Sequence, residues 1–241
     1  MDAMTGIIPT LDRIDELHHA IAPSDAAYDL IHTHCVIVAT IACQLARRQN
    51  ALFMRRCTLP EGEGAAAVPA SGGVEGGQVP PRLLDEHLVL IGGLLHDIGT
   101  YRVLKHGGED GEPLEFDGDH YIQHGLLGYD YLLENGVDES IAQFARNHTG
   151  VGLTREAVVA QGLPLPPDDY VPVNLEQETV MVADKYHSKS TPPKFLTVDA
   201  YMRKAARFGE DNRRLWMEMV DRYGRPDIPA LAERYHMRLV D

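Results

Sequence analysis

Residues 88–99 read LVLIGGLLHDIG, an apolar run closed by His96, Asp97 and a glycine. A run this apolar belongs in a core. The pair that ends it does not, because a buried carboxylate without a partner is expensive and is normally neutralised by a cation or a metal. The same conflict recurs twice. His34 shares a helical stripe with Leu30, Val38, Ile41 and Leu45 in the segment from Asp25 to Gln49. Asp184 follows Val180 and Met181 by four and three residues in VMVADKY. Three apolar helices thus present ionisable groups where core residues are expected.

Outward from these segments, strand signals are weak and helical periodicity is strong. Helices are predicted over Ile7–Ile21, Asp25–Gln49, Arg82–Ile98, Tyr121–Glu134 and Glu139–Asn147. The fourth of these is closed by Asn135-Gly136. A short helix follows Thr154. Prolines keep LPLPPDDYVPV, residues 163–173, extended. Asn174 and Gln177 make a capping pair for the helix that reaches Asp184. Residues 58–80 are rich in Gly, Ala and Pro and read as a flexible surface insertion. The expected architecture is an all-α helical bundle forming a single domain over 1–241. Its core spans about 25–190, with a C-terminal helical extension at about 198–238.

The 241 residues carry a net charge of −14, which disfavours a long nucleic acid as partner but leaves small anions possible. The three cysteines, Cys35, Cys43 and Cys57, form no C-x-x-C pair, and a reducing cytoplasm is expected. The N-terminal stretch has no apolar signal region, and apolar runs such as Val36–Ala42 are too short to span a bilayer, so no membrane is expected.

Imidazoles and carboxylates without cysteines suit one or two divalent ions (Fe, Mn, Ni, Zn or Mg) and argue against a structural zinc knot. His124 in YIQHGLLGYDYLL and His148 in ARNHTGVGL have the same character. Six candidate ligands result: His34, His96, Asp97, His124, His148 and Asp184. They are enough for two ions that share a carboxylate. His32 rivals His34 from two residues away, and His120 rivals His124 from four. His18, His19, His87, His187 and His236 read as surface or packing residues.

The ordered set HCVIVATIA from His34, LLHDIG from Leu94, HGLLG from His124, NHTGVG from Asn147 and VADKY from Val182 resembles the HD superfamily of metal-dependent phosphohydrolases. The resemblance implies an all-helical fold in which His34, His96, Asp97 and Asp184 bind one metal and His124 and His148 serve a second. It also implies a catalytic role for Asp97 as the bridging carboxylate. Two branches are similar: HDIG-type phosphodiesterases, including those acting on cyclic dinucleotides, and symmetrical dinucleoside tetraphosphate hydrolases. The chain departs from the first at Thr100, where a lysine often follows HDIG, and at Asn147, where a second adjacent histidine is usual. It also lacks a GYP-type signature.

The implied activity is hydrolysis of a small phosphorylated substrate, a nucleotide or dinucleoside polyphosphate. A diiron oxygenase and a non-catalytic ligand-binding domain are the alternatives. Residues 185–207 hold six cations against one acid. Lys185 and Lys189 are therefore expected at an anion-receiving rim, with Arg102 and Lys105 contributing from the other side. The C-terminal helices read as a lid, a contact in a possible homodimer, or core cover.

Overall fold

The computed structural model describes residues 6–56, 68–109 and 111–241. It is all-α in class, with ten α-helices and seven short strands among the described residues.

Helix α1 (Leu11–Ile21) begins where Thr10 accepts a hydrogen bond from the Arg13 amide. It starts later than predicted because Ile7 pairs in extended form with Val137. Helix α2 (Asp25–Arg56) runs past the expected end at Gln49. The continuation ALFMRR holds mostly good helix formers and no breaker. By length and composition α2 is apolar enough to cross a membrane, and 56% of its most apolar window is buried inside the protein.

Helix α3 (Glu86–Leu95) starts at Asp85, whose carboxylate accepts from the amides of His87 and Leu88. The predicted start at Arg82 fails because Arg82 is engaged elsewhere, in a two-pronged pair with the buried Glu176 at 2.6 Å. Gly93 lets α3 lie against α2, since a Cβ there would stand 2.6 Å from the Cα of Ala39. This close approach brings Nε2 of His34 within 3.3 Å of Nε2 of His96.

Helix α4 (His124–Glu134) and α5 (Glu139–Arg146) follow, then the short α6 (Arg155–Gln161) and α7 (Leu175–Asp184). Asn174 caps α7 through the Gln177 amide, as the sequence predicted. The extension supplies α8 (Val198–Ala205), α9 (Glu210–Tyr223) and α10 (Ile228–Arg234). These helices share a hydrophobic core with α2 and α7, in which the fully buried Trp216 packs on Tyr186 and Tyr201. A second core lies among α1, the start of α2, α3, α4 and α5.

The strands are two or three residues long, too short to leave a period-2 signal. β1 (Val74–Glu75) pairs with β6 (Arg225–Pro226), and β2 (Leu104–His106) with β3 (Glu115–Phe116). β5 (Lys194–Leu196) lies between β4 (His187–Ser188), antiparallel, and β7 (Arg238–Val240), parallel. Of the Gly/Ala/Pro-rich stretch, residues 57–67, with Cys57, lie outside the described residues. The remainder is tied down: Val74 is fully buried, and the buried Arg48 guanidinium donates to the carbonyls of Val68, Pro69 and Gly76.

Candidate metal centre

Four helix ends and one helix interior supply the site. His34 projects from the middle of α2. His96 and Asp97 follow the last turn of α3, Asp184 ends α7, and His124 opens α4. His148 stands two residues beyond the end of α5. His34, His96, Asp97, His124 and His148 are all buried, and the Asp184 side chain is 16% exposed.

The six side chains meet in two groups joined by Asp97. In the first, His34 Nε2 lies 3.1 Å from Asp97 Oδ2 and 3.1 Å from Asp184 Oδ1. His96 Nε2 lies 3.3 Å from His34 Nε2 and 3.6 Å from Asp184 Oδ1. In the second, Asp97 Oδ1 lies 3.6 Å from His124 Nε2 and 3.7 Å from His148 Nε2, which are 3.0 Å from each other. Donors about 2.0–2.2 Å from one cation stand roughly 3.0–3.5 Å apart, so these separations lie at or slightly beyond the edges of a coordination shell.

The tautomers sharpen the fit. Nδ1 of His96, His124 and His148 meets the carbonyl of Gly93, Tyr121 and Ala145, at 2.7, 2.5 and 2.7 Å. A carbonyl only accepts, so each ring carries its proton on Nδ1 and aims a lone pair from Nε2. Two such lone pairs facing at 3.0 Å, His124 against His148, repel unless a cation lies between them.

Electrostatics agree. Burial raises the Asp97 carboxyl, but the Lys189 ammonium beside it outweighs burial and holds the group well below the usual range. Asp184 is likewise held low against burial by the Lys185 ammonium. Burial pushes His124 down to about 3 and lowers His148, which keeps both neutral and able to ligate.

The rival histidines lie elsewhere. His120 is exposed and bonded to Asp117, and His32 is half-buried beside Asp15 and Tyr28. Lys185 donates to Asp184 and to the His148 carbonyl, and Lys189 donates to Asp97. Both line a 530 Å³ cavity that opens onto His34, His124, His148 and Asp184. Arg102 and Lys105 do not line it. They pair with Glu134 and Glu115 on the protein surface, at 3.0 and 2.8 Å.

Three pairings were not foreseen, although Lys189 itself was expected at the anion-receiving rim. Thr100 Oγ1 donates to Asp97 Oδ1 at 2.6 Å, which gives the residue after HDIG a local task. The cation absent at position 100 arrives as Lys189, from the chain beyond α7. His187, expected as surface or packing, is buried with its Nδ1 2.8 Å from Nδ1 of His34. Its spacing of three residues from Asp184 was the available signal.

The HD domain family model matches residues 31–189, and the chain belongs to that family. Membership supports metal-dependent phosphohydrolase chemistry in general and binding of a divalent metal. Among curated relatives, an uncharacterised protein of Methanocaldococcus jannaschii is 41% identical over 101 residues, covering 42% of this chain and 49% of that one. A tRNA (cytidine(56)-2'-O)-methyltransferase of Thermoplasma volcanium is 29% identical over 150 residues, covering 62% and 33%. The chain thus spans about half the length, or less, of the curated relatives it matches. Among solved structures, the HD domain of the L. monocytogenes phosphodiesterase PgpH aligns with a TM-score of 0.45 at 14% identity, over 92% of this chain and 99% of that one. The same domain in complex with cyclic-di-AMP aligns with a TM-score of 0.44 at 14% identity, over 95% and 99%.

Proposed function

We propose that the chain hydrolyses a small phosphorylated substrate, a nucleotide or dinucleoside polyphosphate, at a two-cation centre. His34, His96, Asp97 and Asp184 would hold one divalent ion. Asp97, His124 and His148 would hold the other. The observation that carries this reading is the pair of donor groups on either side of one buried carboxylate, each at coordination spacing. When bound, divalent ions supply Lewis-acid activation of water and charge neutralisation at phosphorus.

The chain's own residues do the rest. Asp97 sets the separation of the two donor groups, and Thr100 and Lys189 fix its two oxygens. Lys185 and Lys189 place ammonium groups beside the carboxylates, where they stabilise negative charge on the non-bridging phosphoryl oxygens. Tyr121 lines the same wall. Burial pushes its phenol up to about 12, so it stays protonated and can donate.

The cavity also suits an organic body. Phe116, Tyr121, Tyr201 and Phe208 line it, with Lys204 among them. An aromatic wall next to a cation fits a nucleobase and a second phosphate. A screen of nucleotides, dinucleoside polyphosphates and simple phosphomonoesters with Fe²⁺, Mn²⁺, Ni²⁺ and Mg²⁺ tests the reading. Metal-dependent hydrolysis, with products resolved by chromatography and abolished by Asp97→Asn, supports it. Every substrate recovered intact with every ion contradicts it.

A further inference from the structure

A histidine that ligates through one ring nitrogen must keep its proton on the other, and that proton needs an acceptor. His96, His124 and His148 solve this locally. Each lies at a helix end or in a tight turn, where carbonyls are left open, and each uses the carbonyl three residues upstream. His34 has no such option. It sits inside a 32-residue helix, where backbone carbonyls are committed to the i→i−4 ladder.

Its acceptor comes from elsewhere in the chain. Nδ1 of His34 meets Nδ1 of His187 at 2.8 Å, and Nε2 of His187 lies 3.3 Å from Met237 Sδ. One proton sits between the two facing nitrogens. If His187 donated it, a neutral His34 would carry its own proton on Nε2, aimed at Asp97 and Asp184, and could not ligate. If His34 donates it, Nε2 of His34 is a free lone pair. His187 must then carry its proton on Nε2, against the thioether, which is a weak acceptor.

We propose that His187 is a positioning residue for the metal centre. It accepts the Nδ1 proton of His34 and so selects the tautomer in which His34 can bind a divalent cation, while Met237 selects the tautomer of His187. Two features make this more than packing. The rings of His34 and His187 are inclined at only 29° with centroids 5.1 Å apart, so the two Nδ1 atoms meet end to end, and both residues are buried. Met237 precedes β7, far beyond residue 189 where the family match ends, so the C-terminal extension reaches into the ligand set through one hydrogen-bonded chain. The proposal rests on the reading of His34 as a metal ligand.

Two readouts on the full chain test it, with zinc as the probe. In long-range ¹H–¹⁵N spectra of the zinc-loaded protein, His187 is expected as the Nε2–H tautomer and His34 as the Nδ1–H tautomer. An Nδ1–H tautomer at His187 overturns the proposal, and this measurement needs no variant to fold. By titration calorimetry, His187→Leu is expected to weaken zinc binding by about 10- to 100-fold, in line with other outer-shell losses. His187→Asn, whose amide oxygen can accept near the Nδ1 position, is expected to recover most of it. Wild-type affinity in a folded His187→Leu protein refutes the positioning role and leaves the metal site standing. A wild-type protein that takes up no zinc refutes the metal reading itself.

Discussion

Gly99→Ala should separate the two halves of the centre. A Cβ at position 99 would stand 2.0 Å from the His124 carbonyl oxygen and 2.3 Å from the Gly128 amide nitrogen. Ordinary contact begins at 3.4 Å, so the start of α4 must retreat by about 1.4 Å. Both obstacles are backbone, so no side-chain rotation relieves them. His124 moves with that backbone, and its Nε2 is 3.6 Å from Asp97 Oδ1. Functional constellations tolerate displacements of about 0.5 Å, so His124 should leave the ligand set. His34, His96 and Asp184 are carried by α2, α3 and α7 and should stay in place. The overpacking should cost about 1–3 kcal/mol. For a chain of this size that lowers Tm by roughly 2–12 °C. Metal content of the manganese-loaded, desalted protein, read by mass spectrometry, should fall from two ions per chain to one, with at least a tenfold loss of hydrolysis. A variant that keeps two ions at wild-type affinity and an unchanged Tm would refute the reasoning that the Gly99–α4 contact positions His124.

Asp184→Asn removes a charge that the Lys185 ammonium holds in place. It should cut manganese affinity at least tenfold while leaving helical content by circular dichroism unchanged. Lys204→Met should raise KM for a phosphorylated substrate several-fold with little change in kcat or metal content, because Lys204 lines the cavity and has no carboxylate within ion-pair distance among the described residues. Equal KM values would remove Lys204 from substrate binding. Stability should fall as pH drops from about 6.5 to 4. His18 is fully buried between Tyr101 and the Leu94 carbonyl, and burial pushes it down to about 4. The unfolded chain takes up a proton near 6.5 and the folded chain does not, so this group alone removes about 3 kcal/mol by pH 4. Urea midpoints across that range check the slope, and His18→Gln should flatten it.

Most of the fold was legible because long amphipathic segments declare themselves by period. The expected positions of α2, α3, α4, α5 and α7 lie within a turn or two of the observed ones. Misplaced ends trace to capping and long-range pairing: Asp85 starts α3 because Arg82 is held by Glu176, a residue 94 positions away. His34, His96, Asp97 and Asp184 stood out as ionisable groups on apolar helices, His124 and His148 joined them with support from the family resemblance, and the structure brings all six side chains together. What the chain's periodicity could not carry were partnerships between segments that cross late in the fold. Lys189 against Asp97 and His187 against His34 are of this kind. Nearness in sequence misled at Arg102 and Lys105. They follow the His-Asp pair, but the tight turn over Ile98–Val103 and the β2–β3 hairpin direct them to Glu134 and Glu115. The insertion was read from composition alone, which says nothing of Arg48 reaching out from α2 to bind the backbone of its second half.

Diffraction at the manganese absorption edge, on crystals of the full chain grown with Mn²⁺, bears most directly on the centre. The expected result is an anomalous peak bonded at about 2.0–2.3 Å to His34 Nε2, His96 Nε2, Asp97 and Asp184, with a second between Asp97, His124 and His148. A map with no peak among those side chains, or with manganese bound only elsewhere on the molecule, would contradict it.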